Sequence, residues 1–549
     1  MNSIKANILT WISAILAALI VLTTSIYAIN SSTSVPYWDM FDGNLDFYWK
    51  FSEGDWGALW QQHNEHRIVL AKLLFLIDFS LARGTTTFLH VMNLVLASMC
   101  GIVMILFARD TMKVDWFSTM PLVIIGLSFS IQQKENFTNA FQSQFFLASL
   151  LPLVGLYFAH RSVKQQKGTS RNFALAASMG LASSLAMANG ILALPVLTVY
   201  ALLMRMSWTR IAVLSGLSLA TISIYFYGHH SIPGHTPILD SLQKPFELLR
   251  YVVIYMGHNS LLGFIVLVAE VAALFIFMPR GRAASGEIAL VGFVGFVIMT
   301  GAITGLGRLH FGLEQARSSR YLTPVFAAYG SLIILYAPSF LNWTVGQGWL
   351  SKTNPKVLGV IALTVLAVGQ GPALRVMPER NYNHMLGALA LELGLADQAT
   401  VNSIYPNAEH ALKKSTQART TPLMIWAMEP IRNARTLIGT TMSMPASTAC
   451  HLAADKVTPI STSDEMLRVD GWLGLPSERE TLVYLTDEVG KIYGVGLIGR
   501  NREEVRKVYP DLDQYRGFSL YALTALPDAK LYIGTDKARC PLPKIGTSG

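Results

Sequence analysis

Long apolar stretches alternate with short polar segments through roughly the first 375 residues of the chain. Segment 7–29 is apolar over about 20 residues, the length that crosses a bilayer, and it lacks a clear cleavage site, so we interpret it as an uncleaved signal anchor. Comparable stretches follow at 86–108, 116–131, 143–160, 172–187, 190–205, 210–228, 258–278, 287–306, 321–340 and 357–374. The pattern predicts about eleven transmembrane helices.

Basic residues between these stretches predict the orientation, because Lys and Arg beside a span are retained in the cytoplasm. The strongest cluster is Arg161, Lys164, Lys167 and Arg171, and smaller ones are Arg205 with Arg210, Arg280 with Arg282, and Lys352 with Lys356. This model places the N-terminus in the cytoplasm and the C-terminal part outside. Segment 68–81 is apolar but contains Lys72 and Asp78, so we predict a helix lying along the outer membrane face.

The apolar stretches end near residue 375, which predicts three parts. Residues 1–375 form a transmembrane module whose first outer loop, 30–85, carries interfacial helices. Residues 376–440, with helical periodicity and polar faces, form a helical connector, and 441–549 form a β domain in which Thr481–Leu485 and Ile492–Leu497 flank a turn.

Composition supports a membrane protein, since 52% of residues are hydrophobic and 14% charged, against about 25% charged in soluble domains. The net charge of +9 is scattered between apolar stretches, which argues against nucleic acid as a partner. Cys450 and Cys540 flank the C-terminal part and can form a disulfide if it is extracytoplasmic.

Three outer loops concentrate polar residues on one side of the membrane. The first loop contains Trp38, Asp39 and Asp42 and ends with the run His63, Asn64, Glu65, His66 and Arg67. The second contains Lys134, Glu135 and Asn136 and leads to Gln142 and Gln144. The third contains Arg308, His310, Arg317, Arg320 and Tyr321. Ionisable residues at span ends are functional candidates. Pairing of acids with arginines at the interface is the alternative.

Each group in these loops allows a specific chemistry. Asp39 or Asp42, beside aromatic rings, could have a raised pKa and act as a general base, or could cap a helix. His63, Glu65 and His66 are weak candidate ligands for a divalent cation such as Mg²⁺ or Mn²⁺, if the histidines share a helical face.

The arginines point to an anionic partner. Arg308, Arg317 and Arg320, with Lys134, suit a phosphate group, and anionic lipid headgroups are the alternative partner.

At these residues the sequence resembles the GT-C superfamily of polyprenyl-phosphate-sugar-dependent glycosyltransferases, in particular bacterial enzymes of the inner membrane that modify O-antigen in lipopolysaccharide. The features that carry the resemblance are Trp38-Asp39 with Asp42, the run from His63 to Arg67, Glu135-Asn136 followed by Gln142 and Gln144, and Ser319-Arg320-Tyr321. They extend over roughly the first 330 residues.

The resemblance implies transfer of a hexose such as glucose from undecaprenyl phosphate to a periplasmic acceptor glycan or glycolipid. Asp39 first, or Asp42, would deprotonate the acceptor, and the arginines and Tyr321 would hold the donor phosphate. Trp38, His63–Arg67, Glu135, Asn136, Gln142 and His310 would bind substrate.

The C-terminal part also resembles the β-sandwich appended to some of these enzymes, through Val469–Trp472, Arg500, Arg502 and Arg516–Phe518. Trp472 and Phe518 could hold a sugar chain or could be core, and Cys450 and Cys540 would clamp the sandwich ends. A transporter, or a protein that binds a lipid-linked sugar without catalysis, are the competing interpretations.

Overall fold

The computed structural model describes residues 2–165, 167–230, 238–346, 355–374, 378–443, 445, 447, 450–475 and 479–542. Lys352 and the predicted boundary at 375–376 lie outside them. The chain divides into two compact units: unit 1 comprises 1–32, 56–74 and 88–375, and unit 2 comprises 33–55, 75–87 and 376–549. Two pieces of the first loop therefore fold with the C-terminal part of the chain rather than with the apolar helices.

Unit 1 is built almost entirely from helices. They are α1 (Asn2–Asn30), the start of α3 (Val69–Ala82), α4 (Thr87–Met112), α5 (Thr119–Ser128), α6 (Lys134–Thr138), α7 (Ser143–Lys164), α8 (Thr169–Ser184), α9 (Ala193–Leu203), α10 (Trp208–Phe226), α11 (Ile238–Leu242), α12 (Pro245–Gly257), α13 (Ser260–Phe277), α14 (Ser285–Arg308), α15 (Leu322–Gly346) and α16 (Pro355–Val368). Each predicted span coincides with one of these helices.

Within the described residues, six helical stretches are long and apolar enough to cross a membrane. They are Ile8–Asn30, Thr87–Met112, Ala140–Lys164, Trp208–Phe226, Ser260–Phe311 and Ser319–Ser339. α5, α8, α9 and α16 have 10, 16, 11 and 14 residues and are too short to be counted among them, so the number eleven stays a prediction. Large apolar side chains such as Leu219 and Phe275 face outward, as in a polytopic membrane protein.

The core of unit 1 lies where α4, α7, α9, α12, α14 and α15 meet. α7 packs on α8 and α14, and α12 packs on α13 through a close backbone approach. A Cβ atom on Gly257 would lie 2.0 Å from the backbone nitrogen of Gly263, so only glycine fits there. Small residues at helix contacts allow this approach in membrane bundles.

Unit 2 combines helices with one sheet. It contains a π-helical turn (Phe41–Asp46), α2 (Phe47–Ser52), the end of α3, α17 (Pro378–Glu392), α18 (Gln398–Val401), α19 (Ala408–Thr420), α20 (Ala434–Leu437) and α21 (Glu503–Val508). The strands are β1 (Leu452–Ile460), β2 (Ser463–Leu473), β3 (Thr481–Thr486), β4 (Ile492–Arg500), β5 (Gly517–Leu523), β6 (Tyr532–Gly534) and β7 (Arg539–Pro541). The predicted helical connector and β region are both present.

The predicted sandwich is wrong, because the described strands form one seven-stranded antiparallel sheet in the order β1-β2-β5-β4-β3-β6-β7. Its two edges meet: Cys450, just before β1, forms a disulfide with Cys540 in β7, and Ser447 pairs with Arg539. The chain that leads into β1 therefore lies beside β7, the strand at the other edge, so the sheet curls on itself. Phe518 is fully buried in the core of the sheet, so it is not a sugar platform. Trp472 is half-exposed and packs against Tyr509, and its role in binding a sugar chain stays a prediction.

Candidate functional site

The segment around Asp39 is held by the C-terminal stretch of unit 2, which begins at 376. The backbone N–H of Trp38 donates to the carbonyl of Ile404 at 2.9 Å, and Trp38 itself has a left-handed φ of 49°. This conformation is strained for a residue other than glycine, and such strained residues are enriched at functional sites. The following π-helical turn, another feature common at such sites, begins just after Asp39, whose side chain is partly exposed.

Asp42 is engaged by three side chains of unit 2. Its Oδ2 accepts a hydrogen bond from the Tyr405 hydroxyl at 2.9 Å, its Oδ1 lies 2.8 Å from His410 Nε2, and Lys414 Nζ lies 3.7 Å away. The rings of Tyr405 and His410 stack at 5.2 Å. Because both of its carboxylate oxygens hold partners, Asp42 anchors the π-helical turn to α19.

Asp46 continues this anchor one turn further along. Its carboxylate contacts Lys414 at 2.8 Å and Lys50 at 2.9 Å. Burial alone would raise the pKa of Asp46, but the hydrogen bonds from the two lysines outweigh it and lower that pKa. The turn that follows Asp39 is thus fixed by charged pairs.

In unit 1, the three predicted outer loops meet. Arg308, at the end of α14, donates to Glu65 Oε2 of the first loop at 2.8 Å. Glu135 of the second loop accepts from Ser318 at 3.2 Å and lies 3.7 Å from Arg320. The expected convergence of these loops is therefore present, carried by carboxylate–guanidinium contacts.

Buried amides tie the same loops together. Asn136 donates through Nδ2 to the carbonyl of Arg320 at 2.8 Å and to Thr323 Oγ1 at 2.7 Å. In this described part of the chain, Asn136 Oδ1, Gln142 Oε1 and Gln144 Oε1 are buried without a hydrogen-bond partner. Buried orphan acceptors are uncommon and call for a water, an ion or a ligand. They lie in the loops that the sequence singled out.

Arg67 is not available to a substrate, contrary to the prediction. It is 4% exposed, and its guanidinium donates to the carbonyls of Trp60, Tyr225 and Tyr227 at 2.6, 2.9 and 2.8 Å. It clamps the first loop onto the end of α10. The sequence could not show this, because every residue has a backbone carbonyl and the residue types do not indicate which carbonyls Arg67 binds.

The predicted helical face for His63 and His66 is wrong. Their backbones pair in both directions, at 2.8 and 2.9 Å, across a tight turn in which Asn64 has a φ of 47°. Glu65 is directed to Arg308, and the described residues contain no group of three acidic, histidine or cysteine side chains able to hold a metal ion. The geometry therefore does not support His63, Glu65 and His66 as a ligand set.

The remaining predicted residues divide by exposure. Lys134 and His310 are exposed, and the exposed Arg317 pairs with Glu314 at 2.8 Å, a surface contact of small energetic weight. Tyr321 is 6% exposed and its ring packs 5.1 Å from Tyr255, so it contributes to the core rather than to an anion site.

The opposite end of the bundle carries the basic cluster. Arg161 and Lys164, at the end of α7, contact Asp110 of α4 at 3.0 Å and 2.9 Å. α7 has 22 residues, so this cluster lies about 33 Å from the loop at its other end. The second loop and these two basic residues thus lie at opposite ends of α7, while the orientation in the membrane stays a prediction.

Two polar residues of unit 1 were not predicted as functional residues from the sequence. Lys72 is buried and donates to the carbonyls of Ala58 and Gln61 at 2.7 and 2.8 Å, which fixes the first loop. Glu270 lies in the middle of α13, 4% exposed and surrounded by apolar residues. An acidic residue within a predicted span is visible in the sequence and is a functional candidate, so Glu270 could have been found there.

No model of a known protein family, no curated protein and no solved structure matches this chain. Function therefore has to be argued from the residues themselves.

Proposed function

We propose that this protein is a membrane glycosyltransferase of GT-C type, which moves a sugar from a polyprenyl-phosphate donor to an acceptor glycan outside the cytoplasm. The observation that carries the proposal is the meeting of the three polar loops at one end of unit 1 through Glu65–Arg308 and Glu135–Arg320. Loops that merely connected spans would need neither these pairs nor the buried orphan acceptors beside them.

The arginines supply the chemistry that a lipid-phosphate donor needs. A guanidinium group recognises phosphate by paired hydrogen bonds and stabilises the charge that develops as phosphate leaves. Arg308 and Arg320 are held against Glu65 and Glu135, and a donor phosphate would take over part of that pairing. Arg317 and Lys134 are exposed and add further positive charge.

Asp39 is the base in this proposal. It would remove the proton of the acceptor hydroxyl as that oxygen attacks the anomeric carbon and the bond to phosphate breaks. The fixed turn after it and the left-handed Trp38 before it hold the backbone of Asp39 in one conformation. Asp39 is the first choice because it follows Trp38, as in the pattern that carries the resemblance, and Asp42 is the second choice.

Asp39→Asn tests the catalytic assignment, with Asp42→Asn as a matched variant. Purified protein in proteoliposomes is given undecaprenyl-phosphate-glucose and an O-antigen acceptor, and product is measured by mass. We expect loss of at least 100-fold in transfer for Asp39→Asn, with donor binding retained. Unchanged product would refute the assignment of Asp39, and a protein that binds donor but never transfers sugar would be a lipid-linked-sugar binding protein.

Orientation is tested separately by a reporter fused after residue 400. The proposal requires this part of unit 2 to lie outside the cytoplasm of a bacterial inner membrane. A cytoplasmic reporter would contradict the proposal.

Glu270 favours a second candidate function, a transporter. An acid buried in the middle of a span is a common element of ion-coupled transport. Glu270→Gln separates the two: a glycosyltransferase retains its transfer rate, whereas a transporter loses coupled uptake of its substrate.

A further inference from the structure

Unit 2 contains an open polar cleft of about 890 Å³ that the proposed chemistry does not use. One wall is the exposed face of α17, where Asn383 lies, and a second is the end of α18 with Asn402. The floor is the curled sheet, which contributes residues of β1, β2, β4 and β5. The volume lies within the about 300–1,000 Å³ typical of ligand sites.

The floor of the cleft is rigid because its charges are buried and paired. Arg468 of β2 is 8% exposed and bonds to Asp397, and its Nε donates to Asp470 Oδ2 at 3.1 Å. The Tyr521 hydroxyl donates to Asp397 at 2.9 Å and lies 2.8 Å from Thr400 Oγ1. A floor held in this way does not need to reorganise when a ligand binds.

The rim, in contrast, presents groups that can still bind. The Arg500 side chain is 52% exposed and lies 3.8 Å from Asp470, too far for a close hydrogen bond. Asn383, Asn402 and Asn501 bring amides that both donate and accept. Asn501 Oδ1 is shielded from solvent and, within the described residues, has no hydrogen-bond partner.

The charge around the cleft is balanced. Among the described lining residues, four cations, Lys456, Arg468, Arg500 and Arg502, face four carboxylates, Glu379, Asp455, Asp470 and Glu504. A phosphate or a uronic acid would meet those carboxylates at a cost. A sugar hydroxyl donates and accepts at once, so a lining of mixed sign satisfies it.

We infer that this cleft binds an uncharged oligosaccharide through its hydroxyl groups. The identification of this ligand with the acceptor glycan rests on the proposed function, which requires an acceptor glycan as a substrate. No aromatic face is exposed among the described lining residues, since Tyr382 is 1% exposed. Binding therefore relies on hydrogen bonds without stacking, and we expect it to be weak and best detected with a multivalent display.

The test uses the full-length protein in detergent on an array of purified bacterial O-polysaccharides, grouped as neutral, uronate-containing or phosphate-containing. Three proteins are compared with the wild type. Asn402→Phe fills the cleft, Arg500→Ala with Asn383→Ala removes rim groups, and Lys507→Ala removes an exposed cation of α21 as a matched control. The disulfide-linked sheet is checked in each by resistance to proteolysis.

We expect neutral polysaccharides to bind, with a loss of at least tenfold in both cleft variants and no change in Lys507→Ala. Binding confined to acidic polysaccharides, binding that Asn402→Phe leaves unchanged, or no binding to any member of the array would each overturn the inference. Transfer assays separate it from the proposed function, since cleft variants should raise KM for a long acceptor and leave kcat unchanged. If no variant or wild type transfers sugar but the array result holds, only the proposed function fails.

Discussion

Two buried ionisable residues on α17 should give opposite pH dependences, and replacing one at a time should expose each. His384 is 4% exposed and its ring stacks on Tyr37 at 5.2 Å. Burial, with Arg380 nearby, lowers the pKa of His384 from 6.5 to about 3. Glu392, 9% exposed, has its pKa raised by burial from 4.5 to about 7, against the pull of Arg419 and Arg435.

The signs follow from proton uptake. Between pH 6.5 and 3 the unfolded state of His384 binds a proton that the folded state excludes, so acidification destabilises α17. Between pH 7 and 4.5 folded Glu392 binds a proton that its unfolded form releases, so acidification stabilises the helix. One pKa unit corresponds to about 1.4 kcal/mol, so between pH 7.5 and pH 5 each residue changes the free energy of opening α17 by about 2 kcal/mol.

Because the two effects oppose each other, the wild type should change little over this range. His384→Phe keeps an aromatic ring on Tyr37 and removes the histidine effect, so the free energy of opening α17 should rise by about 2 kcal/mol between pH 7.5 and pH 5. In Glu392→Gln the same free energy should fall by about 2 kcal/mol over this range. The double variant should again be nearly independent of pH.

Amide hydrogen exchange of peptides covering residues 380–395 in the full-length protein measures these free energies, after correction for the intrinsic pH dependence of exchange. The expected change is about 30-fold in protection for either single variant. If His384→Phe has the same pH dependence as the wild type, the histidine does not titrate as its burial requires, and the reasoning is wrong.

Three further outcomes test the packing of unit 2. Replacing both Cys450 and Cys540 by Ala opens a loop with a separation of 90 residues. The loss should lower the free energy of unfolding of unit 2 by about 2–5 kcal/mol, measured as a lower denaturant midpoint. The control Cys100→Ala removes a free cysteine and should leave the midpoint of unit 2 unchanged. Arg468→Met removes the guanidinium that pairs with the buried Asp397 and Asp470, and should lower the free energy of thermal unfolding by about 3–5 kcal/mol. Adding Asp397→Asn and Asp470→Asn should recover much of this loss. If the triple variant recovers no stability, the charge argument is wrong. Lys414→Met should cost under about 1 kcal/mol at pH 7, since the pair with Asp46 is partly exposed. The two lysines lower the pKa of Asp46 below 3.8, so the deficit should shrink as the pH falls through that lowered pKa. A deficit that grows as the pH falls would contradict this.

The sequence by itself determined the helical spans, the division into apolar and C-terminal parts and the polar loops. These are periodicity and composition effects that depend only on nearby residues, so α4, α7 and α14 begin and end close to the predicted bounds. It also pointed to Glu65, Glu135, Arg308 and Arg320, because charges at span ends are conspicuous among apolar residues.

Only the tertiary structure decided what those residues touch. The fate of Arg67 and Asn136 depends on backbone carbonyls far along the chain, and Asp42 meets Tyr405 and His410 more than 360 positions away. The joining of segments 33–55 and 75–87 to the C-terminal part and the closure of the sheet into one curled layer are likewise set by long-range packing. Strand alternation is the same in a sandwich and in a curled sheet, and so the residue pattern could not distinguish them.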